Sequence, residues 1–156
     1  MTAERLRAYL LTLPHAVETM QWGANLVFWI GDKAIGGKMF ALINLEDPAP
    51  EGASPHRRRV THQALMMYAA GLARYPELLE LEGLIPAPYM ARIHWVAAER
   101  WDVFTPAEWQ RELSAAHALT LAKLPPKVRA TLALPATQRR RLIAQRRRQL
   151  AAKVKK

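Results

Sequence analysis

The chain has 156 residues, of which 51% are hydrophobic, and it contains no cysteine. This length is typical of one domain, and the lack of cysteine excludes disulfides, thiolate metal ligands and cysteine nucleophiles. The net charge of +10 is uneven, because residues 1–134 carry 14 Lys and Arg against 13 Asp and Glu, whereas residues 135–156 carry nine Lys and Arg and no acid. We therefore expect a nearly neutral folded domain over residues 1–134 and a basic C-terminal tail over residues 135–156.

The expected location is the cytoplasm. Residues 1–5 carry no apolar signal-peptide core, and no apolar run approaches the ~20 residues that span a bilayer. A cysteine-free chain also suits a reducing compartment. We accordingly expect no integral membrane association.

The first predicted element is a helix over residues 3–13. Thr2 can cap its start, and Pro14 ends it. Four apolar residues recur at helical spacing and define one buried face: Leu6, Tyr9, Leu10 and Leu13.

A β-hairpin is predicted next, with strands over residues 26–30 and 38–43. The first strand is continuously apolar, which is typical of a strand buried on both faces. A turn signal starts at Gly31, and Gly36-Gly37 indicates a bulge or bend where the second strand begins.

The middle of the chain predicts two further strands. An exposed proline-rich loop over residues 47–59 precedes a strand near 60–68, and a second strand is expected over 90–97. Between them lie a short helix, roughly 72–82, and an extended Pro86-Ala87-Pro88 segment.

A capping box gives the clearest local signal. Thr105 and Glu108 flank Pro106 at the start of a helix that runs to about Lys123. Pro125-Pro126 break this helix, and a short helix over 127–134 completes the domain. The predicted fold class is α+β, a single antiparallel sheet packed by helices in the order α-β-β-β-α-β-α-α.

Several short motifs together are similar to those of the bacterial MmcQ/YjbR family over about residues 5–134. They occur in this order: Leu13-Pro14-His15-Ala16, Gln21-Trp22-Gly23, Gly36-Gly37-Lys38-Met39-Phe40-Ala41, Ile85-Pro86-Ala87-Pro88-Tyr89-Met90-Ala91-Arg92, His94-Trp95-Val96 and Lys123-Leu124-Pro125.

The resemblance implies a secretion-chaperone-like α+β fold. The family is often labelled DNA-binding on the strength of a proposed double-wing arrangement, so the resemblance implies DNA binding by analogy of fold. It supplies no catalytic residues. The basic tail and the loop ending in Arg57-Arg58-Arg59 depart from the family pattern.

The residues show no recognisable catalytic, metal or cofactor motif. Gly36-Gly37-Lys38 lacks the spacing and the hydroxyl of a phosphate-binding loop, and neither serine lies in a nucleophile elbow. His56 and His62 flank the arginine run without metal-ligand spacing. We expect no enzymatic activity, no cofactor and no metal, although an active site assembled from distant residues stays open.

A groove near the proline segment is a second candidate site. If a regular strand starts at Tyr89, alternation places Tyr89 and Trp95 on one face and Arg92 on the other. The pattern fits a groove wall with a polar anchor, but it fits a packed proline corner better.

The basic tail is the main candidate site. Its two arginine triplets are seven residues apart, which is about two helical turns. A narrow apolar stripe of Ile143, Leu150 and Val154 is interrupted by Arg147, so the tail is either helical or disordered. The candidate nucleic-acid-binding residues are Arg139, Arg140, Arg141, Arg146, Arg147 and Arg148, with Arg57, Arg58 and Arg59 assisting.

Three functions fit these residues. The first is sequence-nonspecific binding of DNA or RNA through the tail. The second is a protein-interaction or chaperone-like module that uses a sheet edge or the groove. The third is attachment of the tail to an anionic lipid surface. A merely solubilising tail is an equal alternative to phosphate contact.

Overall fold

A computed structural model describes residues 1–45 and 64–154. The strands are β1 Ala16–Gln21, β2 Asn25–Ile30, β3 Lys38–Asn44, β4 Met66–Ala69, β5 Leu84–Pro86 and β6 Trp95–Ala98. The helices are α1 Ala3–Leu10, α2 Tyr75–Leu78, α3 Pro106–Lys123, α4 Pro126–Leu132 and α5 Ala136–Val154. The strands form one antiparallel sheet in the order β1-β2-β3-β4-β6-β5, which confirms the α+β class.

The core lies between this sheet and helix α3. The capping box is present as predicted: the Thr105 hydroxyl accepts from the Glu108 amide, and Glu108 Oε2 accepts from the Thr105 amide. The buried face of α3 carries Trp109 and Leu113, which pack on the sheet with α1 beside them.

The predicted hairpin is β2–β3, and its irregularity lies away from the glycine pair. Phe28 pairs with Ala41 and Trp29 with Met39, so Phe40 is the extra residue. Gly36 instead ends a 3₁₀ turn with φ of 89°. A Cβ atom at Gly37 would lie 1.9 Å from the Gly31 carbonyl oxygen, which explains the second glycine.

Two strands were not expected from the sequence. β1 is half-exposed and has no clear apolar run, and among the described strands it pairs only with β2. β5 has only three residues, the last being Pro86. The order along the described chain is therefore α-β-β-β-β-α-β-β-α-α-α, which corrects the predicted order.

Other boundaries also differ. The first helix ends at Leu10, and the next residues tighten into a turn in which the Thr12 amide donates to the Tyr9 carbonyl and the Leu13 amide to the Leu10 carbonyl, before Pro14. β4 is described from Met66, and the earlier part of the strand predicted near residue 60 lies outside the described residues. The middle helix is limited to Tyr75–Leu78.

β6 starts at Trp95, five residues later than the predicted strand. Residues 91–93 form a 3₁₀ turn, and His94 adopts a left-handed conformation with φ of 60°. Because a left-handed residue interrupts the pleat, the alternation predicted from Tyr89 to Trp95 is wrong.

The C-terminal segment forms a continuous helix, α5, over 19 residues. Of the two alternatives for the tail, helix and disorder, the described residues therefore show the helix. Within the described parts of the chain, no helix is long and apolar enough to cross a membrane.

Candidate nucleic-acid interface

Helix α5 contacts the 3₁₀ turn that follows β2. Leu142 and Ile143 are half-buried on this side, and Arg147 forms an ion pair with Asp32, whose carboxylate also accepts from the Ala34 amide. None of the described residues of α5 is fully buried. The helix is therefore docked on the surface of the domain and does not enter the core.

Arg139 holds the start of α5 against α4. Its Nη1 donates to the carbonyl oxygens of Leu132 and Leu134 at 3.1 and 3.0 Å. The Leu132 carbonyl is at the C-terminal end of α4, where backbone acceptors lack partners within the helix, and the Leu134 carbonyl lies just beyond it. Arg139 is thus a structural residue here, and a second inward cation beside Arg147.

Three tail arginines take no part in these contacts. Arg141 and Arg148 are seven residues apart and therefore share one side of the helix about two turns apart, whereas Arg140 is seven residues before Arg147 and lies on the flank of the helix nearer to it. All three are exposed, and none has a hydrogen-bond or ion-pair partner among residues 1–45 and 64–154. The predicted set of six is accordingly divided by the docking of α5.

Arg146 lies between the two groups. It lines a cavity of about 220 Å³ between α5 and the domain, together with Lys127 of α4 and Leu142. The described lining has two cations and no carboxylate, so the electrostatic potential there favours an anion. Lys127 was not singled out from the sequence, because only the fold brings it to α5.

The second arginine run is not placed. Arg57, Arg58 and Arg59 lie outside the described residues, as do His56 and His62. Among the described residues there is no group of three His, Asp or Glu side chains that could hold a metal ion.

The three predicted groove residues take separate positions. Tyr89 is 80% exposed, Arg92 is exposed on the 3₁₀ turn, and Trp95 is 3% exposed and belongs to the core. Tyr89 instead lines a cleft of about 450 Å³ with Trp22.

Both aromatic residues of this cleft have unusual backbones. Trp22 has φ of 48° and Tyr89 has φ of 65°, and left-handed conformations cost a bulky residue about 1–3 kcal/mol. Trp22 follows β1 in the turn to β2, next to a glycine, which is the sequence signal that could have drawn attention to it.

A polar network lies on the face of the sheet that α3 covers, away from the cleft of Trp22 and Tyr89. Glu112 of α3 accepts from the Tyr68 hydroxyl at 3.2 Å and forms an ion pair with Arg74, which also bonds Glu77 at 3.1 Å. Burial raises the pKa of the Tyr68 phenol, and the nearby Glu112 carboxylate raises it further. The phenol therefore stays protonated as a donor, a structural function that sequence spacing did not reveal.

The fold and surface define a class of protein: an α+β domain with one antiparallel sheet and a docked, arginine-bearing C-terminal helix. The family model YjbR matches residues 11–119. The chain belongs to the YjbR family, as the motifs indicated.

A solved structure supports the fold. The crystal structure of Deinococcus radiodurans protein DR2400, of family-model domain DUF419, is similar to this chain with a TM-score of 0.66 and 23% sequence identity. The similarity covers 86% of this chain and 89% of that one. Comparison with curated proteins gives no match.

Proposed function

We propose that the protein binds nucleic acid without sequence preference, through the outward face of α5. The observation that supports this proposal is the division of the tail arginines: Arg139 and Arg147 hold the helix, while Arg140, Arg141 and Arg148 are exposed and have no hydrogen-bond or ion-pair partner among the described residues. A helix fixed on a folded domain presents its guanidinium groups with less loss of conformational freedom than a disordered tail.

The chemistry of the surface favours phosphate. Arginine offers a planar fork of donors that matches phosphate oxygens, and residues 135–156 contain no acid that would repel a polyanion. The cavity between Lys127 and Arg146 adds a further anion-attracting position at the edge of this face. Contacts to phosphates carry no sequence information, hence the expected indifference to base sequence.

The experiment is a salt titration of binding to mixed-sequence duplex DNA and to RNA. If roughly six cations engage phosphates, the slope of log K against log salt is about −5 on duplex DNA. The triple substitution Arg140→Ala, Arg141→Ala and Arg148→Ala should make this slope shallower by about 3 and weaken binding equally on unrelated sequences.

A charge-matched control separates position from net charge. Arg5, Arg92 and Lys123 are exposed cations on other parts of the domain, and their replacement by Ala removes the same three charges. This control should change the slope by less than about 1. Replacing Arg57, Arg58 and Arg59 should have an effect smaller than that of the α5 triple.

Three results would contradict the proposal. One is no binding of DNA or RNA at low salt; another is equal weakening by the α5 triple and by its control. The third is a competition experiment in which anionic vesicles displace DNA at a lipid charge concentration much lower than the concentration of DNA phosphate. This result would identify a lipid surface as the partner. Partner binding that persists without residues 135–156 would support the protein-interaction alternative.

A further inference from the structure

The cleft between Trp22 and Tyr89 is a separate feature from α5. Its floor comes from Leu42 on β3 and its register partner Met67 on β4. The polar end carries the cross-strand pair Asn25 and Asn44, and Pro88 and Met90 complete the lining. Its volume of about 450 Å³ lies in the range of small-molecule sites, about 300–1,000 Å³.

The exposure of the two aromatic rings is unusual for this protein. Trp22 is 59% exposed, whereas Trp29, Trp95 and Trp109 are buried. Tyr89 is the more exposed of the two, and both residues have left-handed backbones. Strained residues that persist on a surface tend to mark binding sites, because nothing in core packing rewards them there.

The Trp22 backbone is held in position by the cleft itself. Asn25 Nδ2 donates to the Trp22 carbonyl oxygen at 2.7 Å across the turn. The Oδ1 atom of the same carboxamide accepts no hydrogen bond from the described residues, so it is available to a ligand donor.

The described lining contains no charged side chain. Burying a charged ligand in such a site would cost free energy without a compensating partner. Two exposed aromatic rings suit a flat ring system, and a carboxamide suits the alternating donors and acceptors of a nitrogen heterocycle. The carboxamide of asparagine pairs with adenine N6 and N7 in protein–DNA complexes, because it offers one donor and one acceptor side by side.

We infer that this cleft binds a planar, uncharged nitrogen heterocycle of the nucleobase type, held against Trp22 and Tyr89 and hydrogen-bonded to Asn25. The base can belong to a free nucleoside or to a single strand, since both offer the same ring. The inference goes beyond the proposed function and does not depend on α5.

The test uses the full-length protein with adenosine, uridine and ribose as probes, followed by two-dimensional NMR of the indole N–H signals. The Trp22 signal is identified by its loss in Trp22→Phe. Adenosine should shift this signal saturably, uridine should do so more weakly, and ribose should not shift it.

Two variants of Tyr89 distinguish the contribution of its aromatic ring from that of its hydroxyl group. Tyr89→Ala should weaken adenosine binding at least 10-fold, and Tyr89→Phe should stay within about 3-fold of the unchanged protein, because it keeps the ring. Tyr89 is mostly exposed, so both variants should fold, and a thermal melt checks this. Asn25→Asp should weaken binding as well, because a carboxylate cannot donate the hydrogen bond to the Trp22 carbonyl oxygen that holds the turn.

Two further arms locate the source of the base. An adenine-only oligonucleotide and adenosine are each titrated into the Arg140→Ala, Arg141→Ala and Arg148→Ala variant. The comparison shows whether a single strand binds better than a free nucleoside when these three arginines make no contribution. That variant should keep adenosine binding unchanged even if the nucleic-acid proposal fails. The inference is overturned if millimolar adenosine leaves the Trp22 signal unmoved, or if Tyr89→Ala binds adenosine as well as Tyr89→Phe.

Discussion

Arg147 of the C-terminal helix pairs with Asp32, which lies 115 residues earlier in the chain. The Asp32 side chain is 13% exposed and that of Arg147 is 65% exposed, so water screens the pair from one side. This contact and the half-buried Leu142 and Ile143 join the predicted tail to the domain.

The first prediction concerns this ion pair. A double-mutant cycle with Asp32→Asn and Arg147→Ala should give a coupling free energy of about 0.2–1 kcal/mol, because partly exposed pairs gain little in high dielectric. Asparagine keeps the acceptor for the Ala34 amide, so the loss is limited to charge. The measurement is urea denaturation at low and high salt. A coupling that is unchanged in 1 M salt would contradict an electrostatic origin.

The second prediction concerns the domain boundary. A chain truncated after Leu134 should unfold cooperatively, with a free energy of unfolding lowered by no more than about 2 kcal/mol, because two half-buried apolar side chains are the main burial lost. Thermal and urea denaturation measure this. The Arg140→Ala, Arg141→Ala and Arg148→Ala variant, which removes only exposed side chains without a described partner, should be as stable as the full chain. A loss of cooperativity would place α5 within the folding unit.

The third prediction concerns Glu112. Glu112→Ala should lower the free energy of unfolding by about 3 kcal/mol, because it leaves the buried Tyr68 hydroxyl without an acceptor. Tyr68→Phe removes the donor instead and should cost about 1.5 kcal/mol. Glu77→Ala, which breaks the exposed bond from the same Arg74, serves as control and should cost less than about 0.5 kcal/mol. Equal effects of Glu77→Ala and Glu112→Ala would contradict the network.

The fourth prediction links pH to the docking of α5. Burial lowers the pKa of His15, and electrostatic interactions with Arg139 and then with His117 lower it further. The folded state then binds fewer protons than the unfolded state, so the contribution of neutral His15 to stability is complete above about pH 6.5 and is lost as the pH falls below it.

Arg139→Ala should therefore raise the pKa of His15 and reduce the loss of stability between about pH 7.5 and 5.5. NMR titration of the His15 ring and urea denaturation at both pH values measure these effects. Arg140→Ala, the neighbouring substitution of an exposed arginine without a described partner, should leave the pKa of His15 unchanged. Identical titrations in the two variants would show that Arg139 is not near His15 in solution.

Sequence patterns predicted the elements whose signals are local. The capping box at Thr105 forms its hydrogen bonds within four residues, and the apolar run of β2 is visible in the strand's own residues. Both predictions match the structure. β1 was missed because a half-exposed strand is defined by its partner β2, which the local pattern does not contain. β6 begins later than predicted because the backbone of His94 is left-handed, which the apolar pattern of the residues around it did not indicate.

The candidate sites were predicted less completely for the same reason. The interruption of the apolar stripe by Arg147 was a real signal of its inward position, but its partner Asp32 could be found only from the fold. Trp22 and Tyr89 are far apart in sequence and meet because β2, β3 and β4 are adjacent. Neither residue indicates a cleft by its own spacing.

The strand order has a consequence for behaviour at high concentration. β1 and β5 are the two edge strands of the sheet. Unpaired backbone groups on an edge strand can template the addition of strands from other copies. β5 is three residues long and ends with Pro86, which has no amide hydrogen to donate, and β1 carries the carboxylate of Glu18 in an ion pair with Arg7. A short edge strand that contains proline and an edge strand that carries charge both resist edge-to-edge aggregation. We therefore expect neither edge of the six-stranded sheet to add a strand from another copy.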